Sequence, residues 1–486
     1  MTTPARRLTV KGRVLLLGSG SVSRCLQPLL LRHLDMDFTK LTVMDFEDYA
    51  GLIPDTLAAG ATYVRDRITP ENMAETLAKY VGDGDLLINL SWNIGTEDII
   101  DWCQDHGVRY VDTSVELWDP YADQADTPPV ERTLYHRHMG LRKKARSWRP
   151  DGPTAVVEHG ANPGLVSHWT KVALEDIAKQ LLKQGVDESR RAKLEGLLDA
   201  ADYPHLAHDL GVKVIHISER DTQISDKPKE VGEFVNTWSI EGFYEEGVAP
   251  AEMGWGTHER TLPANAHTHA EGPRNQICLA QAGHSTWVRS WVPEAGSIHG
   301  MVVRHGEAMT ISDYLTVWNG DEAVYRPTVH YAYLPTDAAI ASWLECRMNG
   351  YRLQEPQRIM TDEIVSGRDE LGVLLMGHDL TSWWVGSQLD IHEARELVPG
   401  QNATTLQVAA SVLGAVAWIL DNPDAGLCTP EDLDHKVVLD WANPYLGPTP
   451  SVQSDWTPLT DRYQPFEKFV AEPGEDDVWQ FGTFLV

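Results

Sequence analysis

The chain has 486 residues, 42% of them hydrophobic and 23% charged. That composition predicts a soluble globular protein, too long for one ordinary core and therefore built from two or three domains. Its formal charge of −30 excludes ready binding to nucleic acid or an anionic membrane and would concentrate a cationic substrate, although solubility alone accounts for such a charge. The longest apolar stretch, Val408–Leu420, is too short to span a bilayer and holds Ser411 and Gly414, so it reads as a buried helix. The N-terminal MTTPARRLTV has no apolar signal core, and the five cysteines are scattered without a CxxC, which together predict a reduced, cytoplasmic setting.

The first elements read as a Rossmann-type, doubly wound α/β domain. Arg13–Leu17 is a short β-type run leading into Gly18-Ser19-Gly20-Ser21-Val22-Ser23-Arg24, followed by a helical pattern through His33 and a second strand, Leu41–Asp45. Strand, glycine turn, helix, strand and acid form the order that a dinucleotide fingerprint requires. Gly18 allows the tight turn, Gly20 lets the backbone approach a pyrophosphate, and Ser21 and Val22 open the helix N-terminus beneath it. Asp45 ends the second strand, where a carboxylate accepts both ribose hydroxyls and repels a 2′-phosphate, favouring NAD over NADP. The third fingerprint position is Ser23 rather than Gly or Ala, so helix–strand packing there must tolerate a hydroxyl.

Further strands are predicted at Ala61–Val64, Asp85–Leu90 and Val108–Asp112. The segments Asn89–Asn93 and Asp112–Glu116 then fall at the carboxyl edge of the sheet, where a nicotinamide would lie. Ser91, Asp112 and Thr113 are candidate cofactor residues there, and Asn93 and Glu116 candidates to face substrate; a surface loop acid explains Glu116 equally well. The basic run Arg142–Arg146 reads as a solvated helix face. A turn at Asp151-Gly152-Pro153 and a strand at Thr154–Val157 follow, which places the first domain at 1–152, a mixed α/β substrate and dimerisation domain at 153–400, and a C-terminal extension packing on the first domain or a partner at 401–486.

Asn162 lies in Gly160–Gly164, held extended before Pro163, where its amide can contact a cofactor or an amine or simply serve a turn. Leu165–Leu174 is a helical run, and 175–210 reads as a charged helical hairpin or lid. The segment Gly211–Glu259 concentrates Glu219, Trp238, Glu241, Glu245, Glu246, Glu252 and Trp255 around short apolar runs. Carboxylates and indole faces are what hold an organic dication, by ion pairing and cation–π contact. Val212–Ile217 is expected to be a strand delivering Glu219 at its end, and Phe234–Ser239 another, with Glu245 and Glu246 in a loop beyond. His305 ends the apolar run Met301–Val303 and is a candidate general acid/base, although a satisfied structural histidine fits the spacing as well. His258, His267 and His269 raise a metal question, but without a recognisable ligand spacing no metal is expected. Thr404–Leu420 reads as a structural helix.

The blocks GSGSVSR, VDTSVELW, GANPGLVSHW, VIHISERDTQ, NTWSIEGFYEEG, EMGWGTHE, RHGEAMTISDYLTV, YRPTVHYAYLPTD and LQVAASVLGAVAWILDNP resemble bacterial homospermidine synthase, in order and over nearly the whole chain. That resemblance implies a saccharopine-dehydrogenase-like homodimer with NAD as a prosthetic group, acting on small diamines and polyamines. It implies amine-binding roles for Asn162, Glu219 and His305, outer acids at Glu116 and Glu246, and a cation–π role for Trp238. This chain has Asn93 where family members often carry an aspartate, which removes one negative group near the nicotinamide end. The implied reaction is redox-neutral aminobutyl transfer from putrescine or spermidine to putrescine through imines, releasing ammonia or 1,3-diaminopropane. Two rivals remain at this level: a reductive-condensation dehydrogenase of the carboxyspermidine or saccharopine type, and a non-catalytic polyamine-binding NAD sensor.

Overall fold

A computed structural model describes residues 6–122, 126–462 and 474–486. Two sheets organise them. The first is wholly parallel, with strands in the spatial order Leu427–Cys428, Ala155–Val156, Arg109–Asp112, Leu86–Asn89, Val14–Leu17, Leu41–Asp45 and Thr62–Arg65. The Val14–Leu17 strand is VLLL and buried throughout, as a strand covered by helices on both faces must be. From it the chain winds outward through Leu41–Asp45 to Thr62–Arg65, then returns to its other side at Leu86–Asn89. That reversal is the switch point at which doubly wound sheets open a crevice at their carboxyl ends.

The order has one departure from the sequence-based division. Ala155–Val156 and, far along the chain, Leu427–Cys428 complete the first sheet, so it is not confined to residues 1–152. The helix Ala403–Asp421 packs against Ser21–His33 on one side and His435–Ala442 on the other. It is apolar and long enough to cross a membrane by length and composition, but 89% of its apolar window is buried inside the molecule, which identifies a core helix. Each Leu, Val or Ile buried there contributes about 1.5–3 kcal/mol relative to exposure.

The second sheet is ten-stranded and mixed. Its spine runs Pro250–Gly254, Thr328–Leu334, Val214–Asp221, Arg368–His378, Thr381–Asp390 and Ser451–Ser454, with the hairpin Trp287–Val292/Gly296–Met301 attached to Thr328–Leu334. Thr328–Leu334 and Val214–Asp221 lie parallel, with Tyr333 opposite Glu219. Glu219 is therefore inside a central strand, not at its end. The charged trio Glu219-Arg220-Asp221 has the composition of a turn, but Tyr331, Thr237 and Gln223 supply the hydrogen bonds that let its acids stay buried.

Three other sequence expectations change. The strand at Phe234 stops at Asn236, and Ser239 caps a helix, Ile240–Val248, by accepting from the Gly242 amide at 3.1 Å. Glu241, Glu245 and Glu246 ride on that helix instead of a loop. The strand before His305 stops at Met301, and His305 sits just ahead of the helix Glu307–Tyr314. Of the two readings of 175–210, the exposed helical hairpin holds, in Glu188–Ala200, where only Leu194 is buried, and Tyr203–Leu210, while the lid does not, because the helix Leu165–Gln184 beside them is largely buried against Arg368–His378 and Thr381–Asp390.

Candidate active site

A cavity of about 850 Å³ lies where the carboxyl edge of the parallel sheet meets the second sheet. Its nucleotide half is built by the glycine turn. Gly18 has φ +86°, and a Cβ there would fall 2.6 Å from the Leu90 carbonyl oxygen, so both backbone geometry and space demand glycine. Gly20 precedes Ser21–His33, a helix with no side-chain cap and no acid in its first turn. A Cβ on Gly20 would meet no atom within 4 Å, because that side of the turn opens into the cavity. Uncapped amides at a helix N-terminus with free space in front of them fit a pyrophosphate.

Asp45 borders the same space while its carboxylate ties the turn together, Oδ2 accepting from the Ser19 amide at 2.6 Å and Oδ1 from the Glu47 amide at 2.9 Å. Ser91 and Thr113 also line the cavity. Asp112 does not. It is buried beneath the sheet edge with its oxygens committed to the Glu158 amide at 2.7 Å and the Tyr110 hydroxyl at 2.8 Å, so it braces the loop instead of meeting a cofactor.

The other half gathers Asn93, Glu116, Asn162, Glu219, Trp238, Glu246 and His305 around one space, although they come from widely separated segments. Asn162 stands at the tip of a loop closed by Gly160 N–H to Pro163 O at 2.7 Å and Leu165 N–H to Gly160 O at 3.0 Å, and its Nδ2 is buried without a partner. The Tyr331 hydroxyl donates a short hydrogen bond to Glu219. Burial, with the Asp221 charge adding to it, pushes the Glu219 carboxyl up to about 8. Asp369 stands behind it and accepts from the Thr404 hydroxyl at 2.6 Å.

His305 is held between two carboxylates, Nε2 at 3.1 Å from Glu246 and Nδ1 at 3.3 Å from Glu307. Burial opposes its charge, but Glu246 and Glu307 overcome that and hold the imidazole well above its ordinary value. Its ring lies against Tyr331 at 4.4 Å. Trp238 anchors its indole by donating to the Tyr333 hydroxyl at 3.2 Å and packs on Phe243. Elsewhere in the lining, burial and the neighbouring Glu245 charge raise Glu116 to about 7. Burial resists the charge of Glu245 as well, but Arg137 and Arg304, each at 2.5 Å, hold that carboxyl down to about 2.

Sequence reasoning missed Tyr331, Glu158, Thr404 and Val408, all of which line the cavity; the last two come from the helix read as purely structural. Glu241, one of the acids with no individual role assigned from the sequence, also borders it, whereas Glu252 is scaffold, accepting from the Leu134 and Tyr135 amides. Among the described residues no three His, Cys, Asp or Glu side chains are grouped to hold a metal ion.

Residues 14–156 match the family described as Saccharopine dehydrogenase NADP binding domain, and residues 160–449 match Saccharopine dehydrogenase C-terminal domain. Homospermidine synthase of Blastochloris viridis is 41% identical over 484 residues, 98% of each chain. The chain belongs to the homospermidine synthase family. The homospermidine synthase of Mesorhizobium japonicum is 40% identical over 98% of this chain and 97% of its own. Among solved structures, the homospermidine synthase of Legionella pneumophila, in complex with NAD, matches at 36% identity with a TM-score of 0.88 over 99% of both chains. This homospermidine synthase family member thus shares its two-sheet architecture from end to end with that structure.

Proposed function

We propose that this chain is a homospermidine synthase that transfers an aminobutyl group from putrescine, or from spermidine, to putrescine and uses NAD without net consumption. The observation that carries this reading is one cavity joining an uncapped, sterically open helix N-terminus to a pocket of carboxylates and a fixed indole. The family membership supports it. Bound NAD would supply a hydride acceptor for the carbon bearing one amine and a hydride donor for the new imine. Gly20, Ser21 and Val22 would hold the pyrophosphate, Asp45 the ribose, and Ser91 and Thr113 would border the nicotinamide. The Asp45 carboxylate disfavours a 2′-phosphate, which argues for NAD although the matching family description says NADP.

The chain's own groups supply the rest. An amine must lose a proton before its carbon can give up hydride, and Glu219 titrates high enough to hold that proton near neutrality. His305, kept cationic by Glu246 and Glu307, can hand a proton to the departing amine. Trp238 presents a π face to a cationic imine. Glu116 and Glu246 line the way in, where they attract the ammonium of the second diamine. Of the two arginines that could serve a carboxylate substrate, Arg220 does not line the cavity and is held by Asp337 and the Pro335 carbonyl, while Arg304, which does line it, is engaged by Glu245 and the Arg132 carbonyl. That favours a diamine over an amino-acid substrate.

The test is incubation of purified protein with putrescine and substoichiometric NAD. Homospermidine and ammonia in excess of the NAD supplied are expected. Product only in proportion to added reduced cofactor would replace this reading with a reductive-condensation dehydrogenase, and saturable putrescine binding without turnover would replace it with a sensor.

A further inference from the structure

Glu158 follows the Ala155–Val156 strand and is 1% exposed, yet it borders the cavity alongside Asn162, His305 and Gly306. Its Oε2 is paired to His138 Nε2 at 2.8 Å. Its Oε1 is buried and makes no hydrogen bond within normal limits, although the Val115 amide and the His305 charge lie nearby. A structural ion pair with His138 accounts for one oxygen and leaves the other short of a well-formed hydrogen bond, an expensive arrangement for a carboxylate out of water.

Two further features hold the side chain there. Glu158 has φ +57°, the left-handed region that a β-carbon disfavours, and its amide is pinned to Asp112 at 2.7 Å. Gly306 leaves the space the carboxylate fills, since a Cβ at 306 would lie 1.8 Å from Glu158 Oε2. Backbone, neighbour and partner all cooperate to hold a charged oxygen beside His305. Burial works against its ionisation, but the His138 and His305 charges hold the carboxyl below its ordinary range, so it stands ready as an acceptor.

We propose that Glu158 is a further substrate-binding residue whose free carboxylate oxygen accepts a hydrogen bond from the ammonium group at the inner end of a bound diamine, beside Asn162, Glu219 and His305. The proposal rests on the diamine reading of the cavity. An ammonium carries three N–H donors and so can satisfy Glu158, Glu219 and the Asn162 carbonyl at once. His138 then acts as a positioning residue that fixes the rotation of the carboxylate.

The experiment compares parent, Glu158→Gln and His138→Asn proteins for homospermidine formation, NAD binding and thermal stability. Glu158→Gln should raise KM for putrescine about tenfold or more, with NAD affinity unchanged. His138→Asn, which keeps the Glu158 charge, should raise it much less. If Glu158→Gln cannot be isolated folded, Glu158→Asp, which keeps the charge but withdraws it by one methylene, should show the same rise. A parental KM in whichever Glu158 variant folds, or equal losses of stability in Glu158→Gln and His138→Asn without a KM change, would overturn the proposal in favour of a structural pair. An inactive parent protein would instead refute the synthase reading itself, so the two failures are separable.

Discussion

Trp238 shows how much a single side chain can be asked to supply. Its indole nitrogen is spent on Tyr333, which fixes the ring and leaves its face for a cation. A desolvated cation–π contact is worth about 2 kcal/mol or more, so Trp238→Ala should cost roughly thirtyfold in kcat/KM with NAD affinity retained. Steady-state rates and a cofactor titration check this, and parental kcat/KM would remove the assignment. The acids make a second prediction. Burial raises Glu219 to about 8, and Glu116 and Glu252 to about 7, from an ordinary 4.5. Carboxyls raised in the fold contribute stability that is full below the ordinary value and is lost as pH rises through the folded one. The contribution of these groups to the Tm of the ligand-free protein should therefore fall between about pH 4.5 and about pH 8, less steeply in Glu219→Gln. Binding of a dication near pH 7 should release protons, measurable by calorimetry in buffers of different ionisation heat; proton-neutral binding would contradict it. Asp45, Glu219, Trp238 and His305, which all line the cavity, could be singled out because an acid ending the fingerprint's second strand, a cluster of acids and indoles, and a histidine after an apolar run are local signals. Tyr331, Asp369 and Thr404 could not, because cross-strand register and helix packing bring them to Glu219 from far along the chain.

At the scale of elements, the two fingerprint glycines separate fold from cofactor. Gly18→Ala meets the Leu90 carbonyl and a positive φ, and should lose about 1–3 kcal/mol of stability together with NAD binding. Gly20→Ala has φ −69° and no protein atom in its way, so Tm should hold while NAD weakens. Thermal melts paired with cofactor titrations distinguish them, and equal destabilisation by both would refute the division. The βαβ unit was readable because its periodicity and punctuation agree. The helix Ile240–Val248 was hidden by Gly242 and Gly247, which look like loop residues. Packing explains them instead: a Cβ at 247 would sit 2.2 Å from the Trp343 ring, which demands glycine, and one at 242 would press on the Trp238 ring at 3.3 Å. Glycine at a helix–indole contact carries no local signal to separate it from glycine in a turn.

Across the whole molecule, the charge of −30 becomes testable. Screening lengths shrink from about 30 Å at 0.01 M salt to about 8 Å at 0.15 M, so kcat/KM for a dicationic diamine should fall by roughly tenfold over that range. A flat profile would leave solubility as the sole role of the charge. The two-sheet architecture was legible as a class, but its closure was not: two-residue strands such as Leu427–Cys428 are too short to leave a pattern. That small strand has a consequence for the order of biosynthesis. The nucleotide-binding layer is begun by residue 14 and finished only by residue 428, after every strand of the second sheet but the last has been made. On the ribosome, the first half of this chain would wait with an unpaired strand edge, and the grip on the cofactor would mature only when nearly the whole polypeptide had emerged.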